Sequence, residues 1–254
     1  MNIHEYQAKA LLARRGVDVP AGRVASSPEQ AAAAWDELRV SRAIVKAQVH
    51  AGGRGKAGGI VPASSRIEAE GAARRLLGSD LKTHQTGGRG LPVNRVLIEE
   101  ALDIRGAFYL SISLDRERGC PLAVASASGG VEIEELARTE PDAMAKEPGS
   151  PFTGLDPFHA RNLFASLNLP HDRLRGFTDL VTALGSTFVA LDCSLIELNP
   201  LALLADGRFV AADAKMSFDD NALFRRPEIA DLRDPTQEDP REGEEQRHAL
   251  SYVG

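Results

Sequence analysis

Apolar residues recur along the chain with two periods, one helical and one of strands. Between Glu5 and Arg15, Tyr6, Ala8, Leu11 and Leu12 fall at helical spacing, and Gly16 ends the pattern. Ser27-Pro28-Glu29 predicts the start of a second helix that runs to Leu38, with Ser27 as its cap and Pro28 in its first turn. The β-branched run from Ala43 to Val49 predicts a strand, and Ser65 to Leu77 a third helix. Val93 to Glu99 is a short apolar strand. Phe108, Leu110, Ile112 and Leu114 alternate along the next one, and Pro121 to Ser126 returns beside it across the turn at Asp115 to Gly119. Helical patterns follow over Ile133 to Arg138, Pro157 to Leu167 and Arg173 to Leu191. Two strands, Ser194 to Pro200 and Arg208 to Asp213, are joined by Leu201 to Leu204 and the turn Ala205-Asp206-Gly207. Pro20 and Gly22 make Val17 to Val24 an extended connection, and His84 to Leu91 is a glycine-containing loop. Asp231 to Arg247 is rich in acids and proline and predicts a solvated segment. Hairpin, strand and helix signals are mixed rather than strictly alternating, and no repeat of 20 to 50 residues is present. The fold class is therefore α+β rather than a doubly wound parallel sheet.

Composition narrows the function classes. The chain has 254 residues, 43% of them hydrophobic and 26% charged, which is the balance of a globular protein with a sizeable core. The net charge of −6 argues against a partner that is a nucleic acid. No apolar run approaches the roughly 18 residues of a membrane span, so no membrane partner is expected. The first residues lack a basic region followed by an apolar one, and Cys120 and Cys193 read as two reduced thiols. A cytoplasmic location is expected on those grounds.

Three places could carry chemistry. The loop Ala51-Gly52-Gly53-Arg54-Gly55-Lys56 follows the strand that holds Lys46. Glycines let backbone amides approach an anion, and Lys46, Arg54 and Lys56 add positive charge, as a polyphosphate requires. The spacing matches neither a Gly-Lys-Ser/Thr phosphate loop nor a Gly-x-Gly-x-x-Gly dinucleotide turn. A basic hairpin turn in solvent is the competing reading. Second, Glu197 and Asn199 point to one face of a strand, and Asp213 ends the neighbouring one. Two carboxylates and an amide oxygen suit Mg²⁺ held between protein and phosphates; an ordinary strand end is the alternative. Third, Glu99-Glu100 closes a strand where a carboxylate could meet an adenine amino group or a ribose hydroxyl, or could be a plain polar terminus. The six histidines show no metal-type spacing, and Trp35 lies on the apolar side of its helix.

Taken together, Asn2 to Ala10 (NIHEYQAKA), Val45 to Gly59 (VKAQVHAGGRGKAGG), Glu132-Ile133-Glu134, Leu195 to Leu201 (LIELNPL), Asp213-Ala214-Lys215 and Asp220 to Arg225 (DNALFR) resemble the β subunits of ADP-forming succinate–CoA ligase and of malate–CoA ligase. The resemblance covers essentially the whole chain. It implies an ATP-grasp fold, two α+β subdomains clamping a nucleotide, over residues 1–240, with residues 21–102 as one clamping subdomain. It implies that 241–254 form a linker toward a flavodoxin-like ligase domain that this chain does not include. Carried across residue by residue, Lys46, Gly53, Arg54 and Gly55 would hold the phosphates of ATP or ADP. Glu99, Glu100 and Leu102 would hold the adenosine. Asn199 and Asp213 would ligate Mg²⁺, and Glu197 would lie beside the histidine that accepts the phosphoryl group. That histidine belongs to a partner α subunit, and CoA with succinate or malate completes the reaction. Leu102 and Ala107 depart from the family's usual threonine and glutamate, both at the nucleoside end. A nucleotide-binding module without turnover, and an ATP-grasp ligase joining a carboxylate to an amine, are the competing functions.

Overall fold

The computed structural model describes residues 1–86 and 88–238. The expected linker at 241–254, like the end of the acidic segment, lies outside the described residues. Chain order begins α1 (Glu5–Arg14), β1 (Gly22–Ala25), α2 (Pro28–Leu38), β2 (Ala43–Ala47), β3 (Ile60–Ala63), α3 (Arg66–Leu76), β4 (Asp80–Leu81), β5 (Leu91–Pro92) and β6 (Val96–Glu100). Strands β1, β6, β2 and β3 form, in that order, an antiparallel four-stranded sheet. Helices α2 and α3 cover one face. Their inward residues are largely alanines (Ala31, Ala34, Ala69, Ala72 and Ala73), packed on Val45 and Ile98. Such small side chains let the helices lie close to the sheet and to each other. Both helices start at serine caps: Ser27 Oγ accepts from the Gln30 N–H and Ser65 Oγ from the Glu68 N–H, each at 3.2 Å.

The second half contains β7 (Ile104–Asp115), β8 (Cys120–Ser126), α4 (Ile133–Thr139), β9 (Ala145–Pro148), α5 (Pro157–Ala165), α6 (Leu174–Ala190), β10 (Cys193–Leu204), β11 (Phe209–Ala211), β12 (Ala214–Phe218) and α7 (Pro227–Ala230). The sheet order is β11-β10-β7-β8-β9, with β12 also paired to β10, and all pairs are antiparallel. Helices α5 and α6 bury Leu163, Phe177, Val181 and Leu184 against Leu110, Ile112, Ile196 and Leu198. Helix α1, first in sequence, packs here rather than on the first sheet, through Ala8 and Leu12. The mixed layering expected of an α+β fold is present.

Several elements differ from the sequence expectation. The connection before Ala25 ends in β1, Leu201 to Leu204 continue β10, and β3, β4, β5, β9, β12 and α7 are additional. Strand β3 carries Pro62, which an edge strand tolerates and a central one does not. Strand β12 alternates buried Ala214, Met216 and Phe218 with half-buried Lys215 and Ser217, a short signal inside a polar stretch. Strand β10 is long because its register shifts after Leu198, so that one strand pairs with β12 before the shift and β11 after it.

Candidate functional site

The two sheets face each other across a cavity of about 940 Å³. Its wall brings together all ten residues singled out in the sequence: Lys46, Gly53, Arg54 and Gly55 from one side, Glu99, Glu100 and Leu102 at one end, and Glu197, Asn199 and Asp213 opposite. Residues more than 150 positions apart meet because β2 and β6 end where the β10–β12 region turns. The glycine loop is shaped by its glycines. Gly53 has φ +73°, and a Cβ there would come within 2.6 Å of the His84 ring. Opposite, the turn after β8 lies close on β7, where a Cβ on Gly129 would come within 2.3 Å of the Phe108 carbonyl oxygen.

Beneath the loop lies a buried ionic network. Lys46 Nζ is 2.9 Å from Glu5 Oε1 and 2.7 Å from Glu99 Oε2, and it donates to the Ala212 carbonyl at 2.7 Å. Lys9 Nζ reaches the same three residues: Glu5 Oε1 at 2.8 Å, Glu99 Oε1 at 2.6 Å and the Ala212 carbonyl at 2.8 Å. Arg54 places Nη1 2.7 Å from Glu5 Oε2 and Nη2 at 2.9 and 3.0 Å from the two oxygens of Asp213. Glu5, Lys9, Lys46, Arg54 and Glu99 are all below 8% exposed. Burial works against the charges of Glu5, Lys46, Arg54 and Glu99. For Glu5 the fields of Arg54, Lys46 and Lys9 outweigh it and hold the carboxyl well below its usual range. For Lys46 burial is overcome by Glu5, Glu99 and Asp213, and for Arg54 by Asp213 and Glu5, so both stay protonated far above any working pH. Burial pulls the Glu99 carboxyl upward against Lys46 and Lys9, so Glu5 is the more firmly ionised of the two glutamates.

This arrangement bears on single expectations. Glu99 lines the cavity, yet both its carboxylate oxygens face lysines, so the side chain is turned toward the cations rather than toward a nucleoside. Glu100, next along, is exposed. Asn199 Oδ1 accepts from the Gly130 N–H at 2.6 Å, and its Nδ2 donates to the Val131 carbonyl at 3.0 Å, which ties β10 to the turn across the cavity. The Asn199 N–H donates to the Asp213 carbonyl at 3.3 Å, so the two proposed metal ligands are neighbours. An amide oxygen and a carboxylate are the hard donors Mg²⁺ takes, and Mg²⁺ commonly binds one or two protein oxygens while phosphates and water complete its shell. Among the described residues no group of three or more His, Cys, Asp or Glu side chains converges on one point. The donor set fits a metal that arrives with its phosphates and not one caged by protein alone. Glu197 is half-buried, opposite Lys215 on β12 and Ser111 on β7.

Sequence reasoning missed Glu5 and Lys9. Both lie in the quoted motif at Asn2 to Ala10, one helical turn apart on α1, and their i,i+4 spacing was the available signal. It missed a histidine pair as well. His4 and His50 lie with ring centroids 4.6 Å apart, and His4 Nε2 is 2.9 Å from Asp234 Oδ2. Asp234 also pairs with Arg95 at 3.0 Å. Burial opposes its charge, but hydrogen bonds from His4 and Thr236 bring its carboxyl down to about 2. Burial, then the neighbouring His4, lower His50 to about 4. His50 lines the cavity, and its buried Nε2 has no hydrogen-bond partner among the described residues.

Two α+β layers enclose a cleft with Lys46 and Arg54 on one side and the oxygen donors Glu197, Asn199 and Asp213 on the facing wall. Residues 2–203 match the ATP-grasp domain model, and the chain belongs to that family. It is 47% identical over 253 residues to the succinate–CoA ligase [ADP-forming] subunit beta of Nautilia profundicola, covering 100% of this chain and 65% of that protein. It is 47% identical over 254 residues to a protein of Mesorhizobium japonicum named probable malate–CoA ligase subunit beta, covering 100% of this chain and 64% of that one. The chain thus spans about 65% of the length of the curated relatives it matches. Among solved structures, ATP citrate lyase from Methanothrix soehngenii in complex with citrate and coenzyme A matches with a TM-score of 0.69 at 20% identity, covering 94% of this chain and 57% of that one. A dinucleotide-forming acetyl-coenzyme A synthetase of Ca. Korarchaeum cryptofilum matches at TM-score 0.67 and 17% identity, covering 86% of this chain and 93% of that one. At such identities the likeness is one of fold. Among the described residues no helix is long and apolar enough to cross a membrane.

Proposed function

We propose that this chain is the nucleotide-binding part of an acid–CoA ligase β subunit. In that reading Mg-ATP phosphorylates a histidine of a partner α subunit, and the phosphoryl group passes to succinate or malate. CoA then displaces phosphate to give the acyl-CoA. The observation that carries it is the cavity wall itself, with Lys46 and Arg54 under a glycine loop and Asn199 and Asp213 facing them. Phosphoryl transfer asks for in-line positioning and neutralised charge more than for covalent chemistry by the protein. Lys46 and Arg54, both buried, are the cations of the wall that would turn to the phosphates. Gly53 lets the backbone approach the phosphates. Glu100, Ala101 and Leu102 border the end where a nucleoside fits, beside the apolar walls of Pro20, Ile44 and Ile104. Asn199 and Asp213 would hold Mg²⁺, which would supply positive charge against the phosphates. Glu197, on the same β10 face as Asn199, is left to orient the incoming acceptor.

Calorimetric titration with Mg-ADP, Mg-ATP and Mg-GDP tests the reading. Mg-dependent binding is expected, and its loss in Asp213→Ala. Equal affinity in that variant refutes the metal assignment, and absence of all nucleotide binding overturns the nucleotide reading of the cavity. Radiolabel transfer from ATP to an added α subunit then tests the ligase step. Glu197→Gln should bind nucleotide normally and transfer slowly.

A further inference from the structure

The two lysines of the ionic network are duplicates of one another. Lys9 and Lys46 contact the same three acceptor residues, Glu5, Glu99 and the carbonyl of Ala212, all within 2.9 Å. Lys46 lies at the cavity wall, whereas Lys9 is not among the residues lining it. Lys9 is 4% exposed and rises from α1 one turn after Glu5, so the helix backbone fixes both groups together. For Lys46 to reach a phosphate it must leave oxygens that are buried, and a buried carboxylate stripped of its partner is strongly disfavoured. With Lys9 in place, Glu5 Oε1, Glu99 Oε1 and the Ala212 carbonyl all keep a donor when Lys46 moves.

The charge count runs the same way. Lys9, Lys46 and Arg54 face Glu5, Glu99 and Asp213, so the network is neutral as it stands. When Asp213 turns to a metal, the remaining five groups carry one positive charge toward the phosphates. Without Lys9 they would carry none.

We propose that Lys9 is a positioning residue for the phosphate site, the standing counter-ion of Glu5 and Glu99 that releases Lys46 to the ligand. The proposal rests on the nucleotide reading above. Lys9 does not line the cavity and acts through Lys46.

The test uses the 254-residue chain. Lys9→Met should lower Mg-ADP affinity tenfold or more by calorimetry while adenosine, followed by ligand-observed NMR, binds as in wild type. The double variant Lys9→Met with Glu5→Gln removes one charge of each sign and should regain most of that affinity. It also covers the case in which Lys9→Met alone fails to fold. Unchanged Mg-ADP affinity in Lys9→Met overturns the proposal. So does an equal loss for ADP and adenosine, which would mark a role in folding alone, and so does a folded double variant that binds no better than a tenth as tightly as wild type. Wild-type protein that binds no Mg-ADP overturns the nucleotide reading and the proposal with it, whereas failures confined to the variants leave the nucleotide reading standing.

Discussion

Arg54→Met separates the two tasks that the ionic network performs. The substitution keeps an apolar stem and removes a guanidinium that contacts Glu5 Oε2 at 2.7 Å, the Ala47 carbonyl at 3.0 Å and both Asp213 oxygens at 2.9 and 3.0 Å. Deleting one partner of a buried ion pair costs roughly 3–5 kcal/mol when the other charge is stranded. Here neither charge is stranded. Glu5 retains Lys9 at 2.8 Å and Lys46 at 2.9 Å, and the Asp213 side chain is 31% exposed and can turn to water. The expected loss is therefore smaller, about 2 kcal/mol, read from urea unfolding. For ligands the two effects have opposite signs. Loss of a charge-assisted contact to phosphate should weaken Mg-ADP by about 1.5–3 kcal/mol, or roughly ten- to hundredfold. Free Mn²⁺, used as a spectroscopic stand-in for Mg²⁺, should bind better, because Arg54 no longer occupies the Asp213 carboxylate. Electron paramagnetic resonance counts the free metal, and calorimetry gives the nucleotide affinity. Unchanged Mg-ADP affinity would remove Arg54 from the phosphate site. Unchanged metal affinity would refute the argument that the arginine and the metal compete for Asp213.

Three further outcomes are expected. Gly129→Ala places a Cβ within 2.3–2.6 Å of Phe108 backbone atoms that cannot swing aside, so it should cost about 2–3 kcal/mol in a denaturant melt; a wild-type midpoint would mean that this turn does not lie so close to β7. Acidification should destabilise the fold through His50, whose pKa is lowered to about 4 in the folded chain. The unfolded chain takes up that proton first, so the contribution is absent above about pH 6.5, grows as pH falls and saturates near pH 4 at on the order of 3 kcal/mol. His50→Gln should flatten the stability profile over that window, and an unaltered slope would assign the pH dependence elsewhere. Cys193 is 6% exposed and burial raises its thiol well above the ordinary value, so a thiol reagent at pH 8 should label it only as fast as the fold opens; labelling within the mixing time would contradict its burial.

Much of the architecture was legible because it is local. Ser27 and Ser65 cap helices whose starts they announce, and the alternation of Phe108, Leu110, Ile112 and Leu114 makes the strand that crosses the second sheet. These signals depend on backbone hydrogen bonds and side-chain periodicity within a dozen residues. Strands β3 and β12 were not legible, since four or five residues carrying Pro62 or Lys215 become strands only when a longer neighbour offers its edge. Sequence patterns also singled out Lys46, the glycine loop, Asn199 and Asp213 separately, because an anion and a hard cation each demand particular side-chain types near glycine or at strand ends, and the fold brings them to one cavity.

The sequence by itself determined the α+β class, the main helices and hairpins, and which residues have the chemistry to meet a polyphosphate. Only the tertiary structure decided how those charges are disposed: that Glu99 faces Lys9 and Lys46, that Arg54 rests on Asp213, and that α1 enters the site from the second core. The reason is physical. A buried charge must find its counter-charge wherever the chain brings one, and Lys46 meets Glu5 across 41 residues and Arg54 meets Asp213 across 159, separations that no local pattern encodes.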